Sequence, residues 1–324
     1  MQPAIRLQRV TKTFGGTRAV NELDLMIPAG GLYGFIGPNG AGKTTTIRML
    51  MSILFPDSGE LELLGHRSAL EAKDRIGYLP EERGVYKKMR VGAYLKFIAR
   101  LKGVPEDSIE ERVEHLLERV ELPNTAREDC EDLSKGMQQK IQFAAAIINQ
   151  PELLILDEPF SGLDPVSMRL LRDLIVAEHG RGATILFSTH VMPQAEDICD
   201  HIIMIHKGKK VLDDPIQAIR GHYDTSTVIV EPLDADADTY ALGGIDGVEV
   251  VRQLSGTVEL HLHSGTQPAQ VMQRVAAILP VARMELSRPK LEDVFVRLVA
   301  GESDEDAEKL LSEIRRPLEV EVNA

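Results

Sequence analysis

The run "GPNGAGKT" at 37–44 fits the spacing G-x-x-x-x-G-K-[ST], whose chemistry is the holding of phosphate. Glycines let the backbone wrap until several N–H groups converge on phosphate oxygens. The helix that follows adds roughly half a positive charge at its start. Gly37, Pro38, Asn39, Gly40, Ala41 and Gly42 form the expected cradle, Lys43 reaches the terminal phosphates, and Thr44 offers a hydroxyl to Mg2+ with Thr45 beside it. A second run, "LLILDE" at 153–158, ends an apolar strand in two carboxylates. Asp157 is placed to hold the same Mg2+ through water, and Glu158, pointing elsewhere, is the candidate general base for an attacking water.

A third run, "LSKGMQQKIQF" at 133–143, opens a helix with Ser134 as its N-cap, and Gly136 leaves backbone N–H groups bare at the helix start. That start lies across a nucleotide from the chain's own phosphate loop. Two copies facing head to tail would close both on one phosphate, each giving its Ser134 helix to the γ-phosphate held by the other's Lys43.

These groups need a frame, and the pattern supplies one. "GGLYGFI" is a short apolar strand before the loop, and "TTTIRMLMSIL" a helix after it, with Ile47, Leu50, Met51 and Leu54 along one side. "AIRLQRVTKTF" and "VNELDLMIP" alternate apolar and polar residues around Gly15 and Gly16, as a hairpin does. A helical pattern fills 89–150, an inserted subdomain. "PELLILDEPF" and "ATILFSTH" are buried strands alternating with helices, which means a mostly parallel sheet covered on both faces. After about residue 220 the composition changes. Short alternating strands and two helices, from Gln267 and in "LEDVFVRLVA", describe a small α+β domain at 225–301. The tail at 302–324 holds eight acids against three bases and is expected to be mobile, with one short helix at "AEKLLSEIRR". The fold class is therefore an α/β phosphate-loop NTPase: a mostly parallel core sheet, an antiparallel β subdomain at the N-terminus, a helical insert, and a C-terminal accessory domain.

Bulk properties narrow the partners. A net charge of −13 argues against a basic nucleic-acid-binding face, so no nucleic acid is expected. Cys130 and Cys199 have no metal-type spacing and suit buried thiols in a reducing compartment. No run approaches the length of a membrane span, so the chain is expected to be cytoplasmic and to meet a membrane only through a separate partner.

With these motifs in order, residues 4–220 resemble the ATP-binding subunits of ABC transporters. The family's LSGGQ signature stands here as "LSKGMQ", with Lys135 for a glycine and Met137 before Gln138. The resemblance implies that Ser134, Gly136 and Gln138 contact nucleotide, and that Asp164 in "LLILDEPFSGLDP" belongs to the D-loop between two sites. It also implies that His190 in "STH" is the switch histidine at the γ-phosphate, that Phe14 stacks on adenine and that Val20 packs on the ribose side. Where the family has a glutamine that reaches Mg2+, "YLPEERG" offers Glu81, an added negative charge that Arg83 could offset. Together with "LEDVFVRLV", these runs resemble the branch that serves bacterial ABC-2-type exporters. The implied function is ATP hydrolysis by a homodimer on two Mg·ATP, driving export through separate ABC-2-type transmembrane permease subunits at the inner face of the membrane. The rival reading is a soluble ABC-type ATPase clamping a macromolecule, which would favour paired cassettes or a coiled-coil insert that this chain lacks. His261 and His263 fall on one face of a C-terminal strand, where an exposed hairpin outweighs a metal role.

Overall fold

The computed structural model describes residues 2–300 apart from 83, 87, 223–226, 235–236, 255, 264 and 288–289. Arg83, expected beside Glu81, and the acidic tail at 302–324 lie outside the described residues. Two compact units emerge, Met1–Ile216 taken up again from Phe295, and Gln217–Val294.

In the first unit, runs of consecutive apolar residues become strands buried on both faces. β3 (Leu32–Ile36), β6 (Leu153–Asp157) and β7 (Thr184–Thr189) have no exposed residue. They stand in a six-stranded sheet of order β5-β6-β7-β3-β8-β9, with β5 (Ile76–Leu79) and β8 (His201–His206) parallel to them and only β9 (Lys209–Pro215) antiparallel. β6, β7 and β3 are neighbours and run in one direction, so the residues after their C-terminal ends meet over one edge of the sheet.

Alternation in the N-terminal runs gives a second, antiparallel sheet of order β2-β1-β4, from β1 (Ile5–Phe14), β2 (Thr17–Ile27) and β4 (Ser58–Leu63). One face of it joins a core of Ile5, Leu7, Val10, Val20, Leu23 and Ile47. Helices α1 (Lys43–Leu50), α5 (Pro165–Gly180) and α6 (Met192–Ile198) accompany the core sheet. The insert resolves into α2 (Val91–Leu101), α3 (Glu106–Arg119) and α4 (Lys135–Ile147). The stretch between α3 and α4 holds only a 3-10 turn at Thr125–Arg127, so the helical pattern across 89–150 is interrupted after Arg119, where Glu121 turns left-handed at φ +59° and Pro123 follows. Lys102 bolts this insert to the sheet: its Nζ donates to Ile76 O at 2.7 Å and to Lys73 O at 2.9 Å.

The second unit holds β10 (Thr227–Pro232), β11 (Val248–Leu254), β12 (Thr257–Leu262) and β13 (Val281–Ser287) in the order β11-β12-β10-β13, all antiparallel. Helix α8 (Pro268–Ile278) seats Val271 and Val275 on Val228, Val230 and Leu260. Short helix α7 (Ile216–His222) precedes β10, and α9 (Leu291–Ala300) follows β13. The division after Ile216 and the return at Phe295 split α7 and α9 between the two units.

Candidate functional site

β3 delivers the chain at Ile36 into the loop 37–42, and α1 starts at Lys43. Two glycines there admit no substitute. Gly42 has φ +107° and a Cβ on it would lie 2.4 Å from Ala19 O; a Cβ on Gly37 would lie 2.2 Å from Ile205 O. The turn between β8 and β9 braces the loop from behind, Gly208 N donating to Ala41 O at 2.9 Å while its own carbonyl accepts from Asn21 N at 2.9 Å. No side chain caps α1, so its first-turn N–H groups are left for an anion. Thr44 and Thr45 are half-buried on that turn, and Thr46 Oγ1 is used internally, donating to Gly42 O at 2.8 Å.

Lys43 is buried, and its Nζ donates to Gly37 O at 2.7 Å and Pro38 O at 3.2 Å while lying 3.9 Å from Glu158 Oε1. Burial lowers its pKa, and the charges of Glu158, Asp157 and Glu81 oppose that shift. Asp157 ends β6 at 1% exposure, and neither carboxylate oxygen has a hydrogen-bond partner. The nearby Ser188 hydroxyl stands close enough to favour the charged carboxylate but not in the geometry of a closed hydrogen bond. Burial first, then the charges of Glu81 and Glu158, push the Asp157 carboxyl up to about 6, against the pull of Ser188 and Lys43.

Glu158 has φ +48°, a left-handed conformation that a non-glycine residue adopts only under constraint. Its N–H donates to Ser188 O at 3.0 Å, and the side chain is thereby aimed away from Asp157 and toward the end of β7. There Glu158 Oε1 stands 2.7 Å from His190 Nδ1, and Oε2 accepts from Thr189 Oγ1 at 3.3 Å. Thr189 Oγ1 also lies 2.9 Å from Gln194 Oε1 and accepts from Val191 N at 3.0 Å. Thr189 and Gln194 were not foreseen as part of this site, although Thr189 directly precedes the histidine that was.

The other expected residues fall in several places. Ser134 caps α4, accepting from Met137 N at 3.3 Å. Gly136 lies beside Asp164 and Ser167 of the same chain, 3.8 Å and 3.6 Å from where its Cβ would be. Asp164 caps α5 by accepting from Val166 N and Ser167 N at 3.0 and 2.9 Å, and these bonds hold its carboxyl below the ordinary range. Gln138 turns its amide inward, donating to Cys130 O and Leu133 O, so it ties its own loop together. Phe14 is 47% exposed at the end of β1, with Lys12 Nζ 5.6 Å from its ring centre. Val20 corrects the ribose expectation: it is 0% exposed and packs in the core, so its side chain offers a nucleotide no surface. Cys130 and Cys199 are both buried thiols.

Glu81 is exposed just after β5, and its charge acts on Lys43, Asp157 and Tyr78. Its neighbour Glu82 is anchored from two sides, by Arg48 of α1 at 3.1 Å and by Gln142 Nε2 of α4, which reaches Glu82 O at 3.5 Å. In the second unit, His261 Nδ1 bonds with Thr227 Oγ1 at 3.0 Å, whereas His263 lies beyond β12 and nearest Glu249 at 3.8 Å. The two do not converge.

Among the described residues no three His, Cys, Asp or Glu side chains could together hold a metal ion. The donor set is instead hard oxygen: the orphaned Asp157 carboxylate, the Thr44 hydroxyl and the Glu81 carboxylate. Such a set suits Mg2+ that keeps water and takes phosphate oxygens as further ligands, and the two unpartnered buried oxygens of Asp157 fit that ion.

Comparison with known proteins agrees with this geometry. Residues 20–161 match a family model described as ABC transporter, and 215–299 match one described as the C-terminal domain of DrrA1-3-like ATP-binding proteins. The ABC transporter ATP-binding protein YhaQ of Bacillus subtilis (strain 168) is 37% identical over 301 residues, spanning 92% of this chain and 99% of that one. The Nod factor export ATP-binding protein I of Cupriavidus pinatubonensis is 34% identical, spanning 92% and 91%. A solved structure of an ATP-binding subunit of an ABC transporter superposes with a TM-score of 0.64 at 28% identity, covering 68% of this chain and 93% of its own. Among the described residues no helix is long and apolar enough to cross a membrane.

Proposed function

The chain belongs to the ABC transporter family as an ATP-binding, ATP-hydrolysing subunit that works with transmembrane subunits, and from that premise we propose how it performs export. Two copies close head to tail on two Mg·ATP at the inner face of the membrane and drive ABC-2-type permease subunits. The observation that carries the reading is the position of Glu158 Oε1, between Lys43 Nζ at 3.9 Å and His190 Nδ1 at 2.7 Å, beside the unpartnered Asp157.

Lys43 and the bare N–H groups of α1 take the β- and γ-phosphates, and Phe14 covers the base. When bound, Mg2+ would sit on Thr44, Asp157 and Glu81 and neutralise phosphate charge. Glu158, oriented by His190 and Thr189, accepts the proton of the attacking water. Ser134 and Gly136 of one copy, with Asp164 at the seam, complete the pocket of the other. Closure is the working stroke, because ATP shifts the open and closed states only by its difference in affinity for them. The movement passes to the membrane subunits through the surface at Glu81 and Glu82, which Arg48 and Gln142 link to the phosphate-loop helix and to the insert.

The test is Glu158→Gln. ATP binding should persist and a stable ATP-loaded dimer should appear by light scattering, while turnover falls on the order of a hundredfold or more. Wild-type turnover in that variant rules out Glu158 as the base.

A further inference from the structure

The C-terminal sheet has one outer strand whose exposed residues carry opposite charges two positions apart. Among the described residues β13 pairs only with β10, and its other edge is open. Both outer strands carry a register shift, β11 between Val248 and Val250 and β13 where Pro232 pairs with Val281 and Ala282 is passed over, but Gln253 also ties β11 to Thr239, and β13 stays regular over 283–287. β13 reads "VARMELS" and its pairing fixes which side chains share a face. Met284 stands opposite Val230 and Leu286 opposite Val228, so both are on the core side, where Met284 packs on the core together with Val281. Arg283 stands opposite Glu231 and Glu285 opposite Ile229, on the other side. Leu286 is 41% exposed, and Arg283 and Glu285 are 62% and 46% exposed, paired with each other at 2.6 Å.

We propose that β13 joins β13 of a second copy, antiparallel and centred on Met284, to make one continuous sheet through two C-terminal domains without nucleotide. A two-fold axis through such a sheet keeps faces matched only when it passes through a residue, which leaves three central registers on this strand. Centring on Arg283 sets arginine against arginine, and centring on Glu285 sets glutamate against glutamate, both unfavourable. Centring on Met284 sets Arg283 against the second copy's glutamate twice over, and methionine against methionine, all within the regular stretch 283–287. Each Arg283 then lies between Glu231 of its own β10 and a glutamate of the second copy. The same charges that favour this register oppose the neighbouring slips, which is how an open edge is made selective rather than sticky. The contact is separate from the nucleotide sandwich and does not depend on it.

The full chain, stripped of nucleotide with a chelator, provides the test. Facing residues across an antiparallel pair have Cβ atoms about 5 Å apart, within reach of a disulfide after small adjustment. Met284→Cys should therefore cross-link to itself under mild oxidation, and Leu286→Cys, two residues from the centre, should not. Adding Arg283→Glu to Met284→Cys should weaken dimer formation about tenfold, because both cross-strand pairs become like charges. Adding Glu285→Arg as well should restore it. No cross-link at position 284, equal cross-linking at 286, or loss that the double reversal does not repair overturns the proposal. The ATP-loaded dimer of Glu158→Gln protein, measured separately, remains readable whichever way this contact turns out.

Discussion

Asp157 holds its charge where the surroundings least favour it. Burial pushes its carboxyl up to about 6, above the value in an unfolded chain. The sign follows: the neutral form favours the fold, that contribution is complete below about pH 4, and it is lost as pH rises through about 6. Ionised at neutral pH, the group opposes folding by roughly 2–3 kcal/mol, a strain that the proposed Mg2+ would relieve. Asp157→Asn keeps the shape and removes the charge. Nucleotide-free Asp157→Asn protein should melt several degrees higher than wild type near pH 8, with the gap closing toward pH 4. Scanning fluorimetry across that range checks it, and a variant that melts lower near pH 8 contradicts it. The same variant should lose most of the Mg2+ dependence of its nucleotide affinity. At the next residue, His190→Ala and Thr189→Ala each remove one hold on Glu158. Both should lower kcat more than they change the KM for ATP, with His190→Ala the larger because its contact is the shorter; equal effects on KM alone would place these residues in binding.

Elements decide where such residues meet, and α4 shows how a single cap can serve two ends. Ser134→Ala removes the bond to Met137 N, a change worth about 1 kcal/mol of stability. Its effect on turnover should exceed what that loss explains, with ATP affinity of the isolated chain little altered. Calorimetric binding beside a turnover assay separates the two, and a loss of turnover no greater than the stability change would make Ser134 only a cap. The sequence showed this cap, the phosphate loop and both carboxylates, because each rests on a local rule: a cap residue before a helix, glycines at fixed spacing, a charge closing an apolar strand. The fully buried strands β3, β6 and β7 were legible for the same reason, since burial on both faces leaves no alternation. What escaped depends on contacts distant along the chain. β4 and β5 are short and carry mixed patterns, so only their pairing with β1 and β6 defines them. Val20 sits on a strand whose buried face became visible only with the second sheet, and Thr189 meets Glu158 only because β6 and β7 lie side by side. The left-handed backbone at Glu158, which separates it from Asp157, has no signal in residue type at all.

At the scale of the molecule, the proposed head-to-tail pair leaves neither copy with a whole pocket. Ser134 and Gly136 make their contacts with Met137, Asp164 and Ser167, and no hydrogen bond or ion pair among the described residues joins them to Lys43, Asp157 or Glu158. Each chain also carries a net charge of −13, so two copies repel at long range and association should strengthen as salt screens them, up to physiological ionic strength. A mixing experiment isolates the composite site. Lys43→Ala protein lacks the grip on phosphate, Ser134→Ala protein lacks the helix start offered to a partner, and each homodimer contains two damaged sites. In a mixed pair, one site combines both defects. The other joins the intact Lys43 of one chain to the intact Ser134 of its partner. Random mixing of equal amounts makes about half the dimers mixed, so turnover should recover toward about a quarter of wild type, depending on how far the two sites act independently. If each chain closed its own pocket, the mixture would only average two impaired proteins. Turnover in the mixture no higher than that average, with mixed dimers demonstrated by native mass spectrometry, would defeat the head-to-tail arrangement while leaving ATP binding by the single chain intact.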